Sequence, residues 1–99
     1  MQVEITPYQT PEEAEAARIE RIKAKAMAAI LAIAPEWKQR NLIARGLELT
    51  EILAAGGSLT SAQQAESDAI KAVWAQISAI RAASDQAEAD GTPADQFNP

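Results

Sequence analysis

Two breaks divide this chain into three segments, and each segment repeats apolar residues at helical spacing. The breaks are Pro35 and the run Gly56-Gly57-Ser58. Proline lacks the amide that an interior helical residue donates, and its ring disfavours helical geometry at the residue before it. A glycine pair followed by serine is typical of a loop. The sequence therefore predicts an all-α fold with helices over residues 11–33, 36–55 and 61–90.

Local signals support the first and third of these helices. Thr10-Pro11-Glu12-Glu13 and Thr60-Ser61-Ala62-Gln63 both place a capping threonine three residues before a Glu or Gln. The first apolar stripe comprises Ile19, Ile22, Ala26, Ala29, Ile30 and Ile33, and Arg18, Arg21, Lys25 and Ala28 fall on the opposite face. The third comprises Ala69 or Ile70, Val73, Ile77, Ile80, Ser84 and Ala87.

These elements predict a three-helix antiparallel bundle over residues 10–90, with long, coiled-coil-like first and third helices. Gly46 interrupts the middle helix, and a close contact with another helix would explain it. Residues 1–9 are predicted to form an extended N-terminal arm. Residues 91–99 follow Gly91, contain two prolines and are predicted to form a flexible acidic tail.

The predicted core is thin, which bears on oligomeric state. Hydrophobic residues make up 47% of the chain and aromatic residues only 4%, and many of the former are alanine. Alanine buries little apolar area, so small alanine-rich domains often gain stability by self-association. The third helix extends beyond the second at Ile77, Ile80, Ser84 and Ala87. We predict that these residues pair between copies in a homo-oligomer, a trimer or a dimer. The alternative is a monomer in which the first helix covers them.

The residue inventory argues against an enzyme. The chain has no histidine and no cysteine, which removes disulfides, most zinc sites and the usual nucleophile–base arrangements. It also has no glycine-rich phosphate loop, because Gly56-Gly57 lacks the lysine of that motif. We expect no cofactor, no metal and no membrane-spanning helix.

The charge is uneven along the chain. Residues 18–45 hold seven bases and two acids, although the net charge is −5. One interpretation is a basic patch that contacts nucleic acid. The other is pairing of the basic first helix with the acidic third helix inside the bundle. We favour the second interpretation and do not expect nucleic acid as a partner, because nucleic-acid-binding domains normally carry a net positive charge.

Candidate partner-binding residues lie around the two tryptophans. Trp37 and Trp74 either fill the core or anchor a partner, since tryptophan is prominent among interface hot spots. Both are predicted to be mostly buried, within one chain or across subunits. Lys38, Gln39 and Arg40 flank Trp37 on the predicted outer face. The full candidate set is Trp37, Lys38, Arg40, Trp74, Ile77 and Ile80.

The segment from Arg21 to Ser84 carries an ordered series of sequence features. An alanine-rich helix ends at Ala34, the string Pro-Glu-Trp-Lys-Gln-Arg-Asn follows, and an Ala-Arg-Gly-Leu-Glu-Leu helix precedes a loop. Gln63 to Trp74 and Ile77 to Ser84 complete the series. The segment resembles a helical module of phage tail and tail-fibre-associated proteins, often from phages or prophages of alphaproteobacteria.

This resemblance implies a role in virion assembly or tail structure, with other phage tail proteins as partners. It places the protein in the virion tail or, during assembly, in the host cytoplasm. A fibre component, an accessory subunit and an assembly chaperone all fit. The alternative is a small regulatory or adaptor bundle, with nucleic acid as a contact of residues 18–45.

Overall fold

The computed structural model describes residues 9–99, which form an all-α fold. The helices are α1 (Pro11–Ile33), α2 (Glu36–Ala54) and α3 (Ser61–Asp90), and a short 3-10 helix follows at Ala94–Gln96. No strand occurs among these residues. The predicted helix bounds are confirmed, with α2 ending one residue early. Apart from Gln9, the arm predicted for residues 1–9 lies outside the described residues.

Local hydrogen bonds explain where the helices begin and end. The Thr10 hydroxyl accepts the Glu13 amide at 3.1 Å, and Thr60 and Gln63 form a complete capping box before α3. After α2, Gly56 adopts a φ of +84° and the Gly57 amide donates to the Ile52 carbonyl at 2.9 Å. This Schellman-type ending satisfies terminal carbonyls and reverses the chain toward α3.

Helix α3 is the axis of the molecule, and the other two helices pack against different parts of it. Contacts between α1 and α3 are the most extensive, and those between α2 and α3 are fewer. Arg18 of α1 reaches the end of α3 at Glu88, whereas Arg45 of α2 pairs with Glu66 near the start of α3. The molecule is consequently elongated, with extents of 64 × 21 × 20 Å.

The core of the described part of the chain consists of two small clusters, both involving α1 and α3. One contains Ile22, Ala26, Ala87, Ala94 and Phe97. The other contains Ile30, Ala34 and Ile77, with Ile33, Val73, Trp74 and Ile80 packed against it. Among residues 9–99, only Ile22 and Ile77 are large and completely buried. Alanine makes up three of the five residues in the first cluster, as the composition predicts, but the second cluster contains only one alanine, Ala34.

The C-terminal segment is packed, so the prediction of a flexible tail over residues 91–99 is wrong. Gly91 adopts a φ of +72° and turns the chain back from the end of α3. Ala94 and Phe97 then join the first core cluster, with 1% and 6% of their surfaces exposed. The Lys25 ammonium donates to the Ala94 carbonyl at 2.7 Å. The alanine-lined space between α1 and α3 accommodates the Phe97 ring. The glycine and prolines of this segment gave no indication of that contact.

The extension of α3 beyond α2 is covered within the chain. Ile77 is completely buried, Ser84 and Ala87 are each 6% exposed, and Ile80 packs against both core clusters. Helix α1 supplies Ile22, Ala26 and Ile30 to the same clusters. The prediction that these α3 residues pair between copies is therefore wrong, because α1 already occupies the space beside them.

Gly46 lies inside α2, where glycine is a less stable helix residue than alanine. A β-carbon at this position would lie 3.9 Å from Cγ2 of Ile70, which is an ordinary van der Waals distance, so an alanine fits beside α3. Since glycine inside a helix is about 0.5–1 kcal/mol less stable than alanine, we expect Gly46→Ala to raise the free energy of unfolding by about that amount. Urea denaturation followed by circular dichroism measures it.

The control is Ala75→Gly, at an exposed position inside α3, which is expected to lower the stability by about 1 kcal/mol. If Gly46→Ala were destabilising, the contact between α2 and α3 would have to be closer than the structure shows.

Candidate helix-pairing surface

Helix α2 exposes most of its large apolar side chains. Among the described residues, five large hydrophobic side chains are exposed, and four of them lie on α2. These are Trp37 (60% exposed), Ile43 (59%), Leu47 (59%) and Leu53 (53%). Only Leu49 of this helix is buried. The cause is that α3 covers one side of α2, whereas α1 packs on a different part of α3.

The exposed side of α2 has a regular composition. Successive spacings of three and four connect Trp37, Arg40, Ala44, Leu47, Glu51 and Ala54. All six are exposed, and they form one face of the helix. We call these six residues the α2 outer face. The opposite side carries Leu42 and Leu49, which are partly or fully buried toward α3.

The inner side of α2 is attached to α3 by apolar contacts and by one charged cluster. The Arg45 guanidinium donates to Glu66 at 2.9 Å and to Glu48 at 2.8 Å. The hydrogen bond from Arg45 lowers the pKa of the Glu66 carboxyl below its ordinary value, and the bonds to Glu66 and Glu48 raise the pKa of Arg45. Because these side chains remain partly exposed, the cluster orients α2 more than it stabilises it.

A shallow groove of about 390 Å³ runs beside this attachment. Its lining includes Lys38, Leu42, Arg45, Glu66, Ile70 and Val73. Lys38 therefore lies on a different side of α2 from Trp37, and its ammonium is 3.5 Å from the Ile33 carbonyl at the end of α1. The prediction that Lys38 and Arg40 flank Trp37 on one outer surface is correct for Arg40 and wrong for Lys38.

The candidate residues on α3 do not join the α2 outer face. Trp74 is partly buried against the cluster of Ile30, Ala34 and Ile77. It also lines a groove between α2 and α3. Ile77 and Ile80 belong to the core between α1 and α3. Of the six predicted residues, the structure brings only Trp37 and Arg40 together on an open surface.

Both tryptophans are predicted to be mostly buried, but in the structure they differ in exposure. Trp37 is not buried within the chain, because the side of α2 that carries it faces away from α3. The remaining possibility, burial across subunits, stays a prediction. Trp74 is partly buried against Ile30, Ala34 and Ile77 and borders a groove beside α2, which agrees with the core-filling interpretation.

Arg18 is the residue whose role the sequence analysis missed. The apolar spacing predicts Arg18 on the face of α1 opposite the apolar stripe, but only 4% of its surface is accessible. Its guanidinium donates to the carbonyls of Thr92 at 2.8 Å, Glu88 at 2.9 Å and Ala87 at 3.2 Å. It also pairs with Glu15 of its own helix, and this hydrogen bond lowers the pKa of the Glu15 carboxyl. Arg18 thus holds α1 to the C-terminal end of α3.

A signal for this position exists in the sequence. Arg18 lies four residues from both Ala14 and Ile22, and the buried positions of α1 continue at Ala26 and Ile30. The buried residues of α1 are therefore four residues apart, and Arg18 is one of them. The apolar stripe predicted from sequence mixes spacings of three and four and starts at Ile19, so it leaves Arg18 out. A cation at the end of a helix is favourable because unpaired carbonyls and the negative end of the helix dipole meet there.

Most bases of the segment 18–45 contact groups of the chain itself. Besides Arg18 and Arg45, Lys25 and Lys38 donate to backbone carbonyls. The Lys23 ammonium lies 3.3 Å from the Glu88 carboxylate of α3. Five of the seven bases thus have internal partners, and the basic run in the sequence does not form one open basic surface.

Two further kinds of site are absent from residues 9–99. No group of three or more acidic side chains lies close enough to hold a metal ion. None of the described helices is both long enough and apolar enough to cross a membrane. Comparison with protein-family models, with curated proteins and with solved structures found no match to this chain.

Proposed function

We propose that this protein is a structural or assembly component of a phage tail and acts through helix–helix contacts made by α2. The observation that carries the proposal is the concentration of exposed large apolar side chains on this one helix. Exposed apolar patches bordered by polar residues mark protein–protein contact sites. Trp37 is the largest of these side chains, and tryptophan contributes strongly to such contacts.

The resemblance to phage tail modules bears on the same helix. Its most specific string, from Pro35 to Asn41, forms the start of α2 and includes both Trp37 and Arg40. The elongated shape, 64 Å in its longest dimension, suits a part that spans or lines an assembly. The regulatory or adaptor alternative has less support, because most bases of residues 18–45 are engaged within the chain.

Immunoelectron microscopy of phage from the source strain tests this proposal. Antibodies against the purified chain are applied to mature virions and to tail precursors separated from the same lysate. Label at a regular position on mature tails would support a tail component, and label on precursors alone would support an assembly factor. Absence of label from both fractions, with the chain detected elsewhere in the lysate, would overturn the proposal. Pre-immune serum is the control.

A further inference from the structure

The α2 outer face has the residue spacing of a helix-pairing seam. If Trp37 is assigned to heptad position a, then Ala44 and Glu51 also occupy a, and Arg40, Leu47 and Ala54 occupy d. The flanking e and g positions, Asn41, Glu48, Ile43 and Thr50, are all exposed. The b and f positions, which face α3, are partly or fully buried. The exposed side of α2 therefore has the spacing of a coiled-coil interface, with Arg40 and Glu51 as the two charged residues among its six a and d positions.

This seam is complementary to itself when a second copy runs in the opposite direction. In an antiparallel pair of helices, position a of one helix lies beside position d of the other. With the centre between Arg45 and Gly46, Trp37 lies opposite Ala54 of the second copy and Leu47 lies opposite Ala44. Each of these two apolar layers thus combines a large side chain with a small one, which allows two helices to approach to about 8–10 Å.

The charges follow the same symmetry. Arg40 and Glu51 are equally distant from the centre of the seam, so the guanidinium of each copy lies beside the carboxylate of the other. At the edges, Ile43 lies nearest Thr50 of the second copy, and Glu48 lies nearest Asn41. No layer brings like charges together. A parallel pairing would place Arg40 beside Arg40 and Glu51 beside Glu51, which is repulsive.

We propose that two copies of this chain associate through their α2 outer faces as an antiparallel, twofold-symmetric dimer. A twofold contact requires a surface that is complementary to itself, with residue i against residue j and j against i. The α2 outer face meets this requirement in both size and charge. A different protein as partner would not require such symmetry. The inference needs no phage-tail function, and it replaces the α3 surface predicted from sequence.

The contact between the two α2 outer faces is short, so we expect a weak affinity. The seam from Trp37 to Ala54 is about 27 Å long at 1.5 Å per residue. Such a contact buries less than a standard interface of about 1,600 Å², so we expect dissociation constants on the order of 10 µM. Sedimentation equilibrium between about 1 and 300 µM, a range chosen around that constant, should show a rise from the monomer mass of 10.6 kDa toward twice that value.

Charge-reversal variants test the register and direction of the pairing. Arg40→Glu places two carboxylates in each charged layer, and Glu51→Arg places two guanidiniums there. Each variant alone is expected to weaken self-association by about tenfold or more, since like charges meet twice in the symmetric dimer. An equimolar mixture of the two variants should recover association, because both charged layers of the mixed dimer again contain opposite charges.

The matched control is Arg21→Glu, which reverses an exposed charge on α1 away from the seam and should leave association unchanged. Circular dichroism of every variant verifies that the helices are retained. A wild-type chain that remains at 10.6 kDa throughout the concentration range would overturn the proposal. Association that neither charge reversal weakens, or that the mixture of variants does not recover, would overturn it as well. None of these outcomes depends on whether the protein is found in virions.

Discussion

Replacing Arg18 with alanine is expected to lower the free energy of unfolding by about 3 kcal/mol, because hydrogen bonds from a charged donor contribute roughly 1.5–3 kcal/mol each and do not add fully. The guanidinium donates to three carbonyls at the end of α3 and in the segment after it. Alanine would leave these carbonyls without that donor and would open a space between α1 and α3. For a domain of this size, the melting temperature should fall by roughly 15 °C.

Thermal and urea denaturation monitored by circular dichroism measure this effect. Arg18→Lys keeps the charge but cannot reach several carbonyls from one planar group, so it should recover less than half of the loss. Arg21→Ala is the control, because Arg21 is exposed one turn further along α1, and it should change stability by less than about 0.5 kcal/mol. Equal stability of Arg18→Ala and Arg21→Ala would contradict the buried role of Arg18.

Replacing Phe97 with alanine should have an effect of similar size, about 3–4 kcal/mol, which is usual for a buried phenylalanine. Phe97 is 6% exposed and contacts a cluster that is otherwise made of Ile22 and small alanines. These short neighbours cannot move into the space that the ring would leave, so a cavity would persist. The same change in a free tail would have no effect.

Urea denaturation of four proteins separates these possibilities: the wild type, Phe97→Ala, Gln96→Ala and a chain that ends at Thr92. Gln96 is exposed beside Phe97, so its replacement should leave the midpoint nearly unchanged. A chain that ends at Thr92 should lose at least as much stability as Phe97→Ala, because Ala94 and the carbonyls bound by Lys25 are removed too. If all variants unfolded like the wild type, residues 93–99 would not be part of the core.

The sequence predicted the helices well because helix ends depend on nearby residues. The threonine caps at Thr10 and Thr60, the proline at position 35 and the glycines after α2 act within a few residues of themselves. No distant contact is needed to determine such an end. The all-α class and the three helix ranges follow from these signals and from the apolar spacing.

The assignment of individual side chains to core or surface was less accurate, for an identifiable reason. In α2 the apolar residues occupy more than one side of the helix. The spacing of these residues therefore cannot show which side packs against another helix. Leu49 is buried because α3 lies beside it, and Leu47, two residues earlier, is exposed because α1 packs elsewhere. The candidate surface on α2 therefore became visible only once the positions of α1 and α3 were known.

By itself, the sequence determined the helical class, the helix bounds and the alanine-rich character of the core, all of which arise from local hydrogen bonding and composition. The tertiary structure alone decided that Arg18 and Phe97 are interior and that Trp37 is exposed. These outcomes depend on contacts across about 70 residues of chain, such as that between Arg18 and Glu88. A polar side chain is buried where distant carbonyls can accept from it, and an apolar one is exposed where no other element covers it.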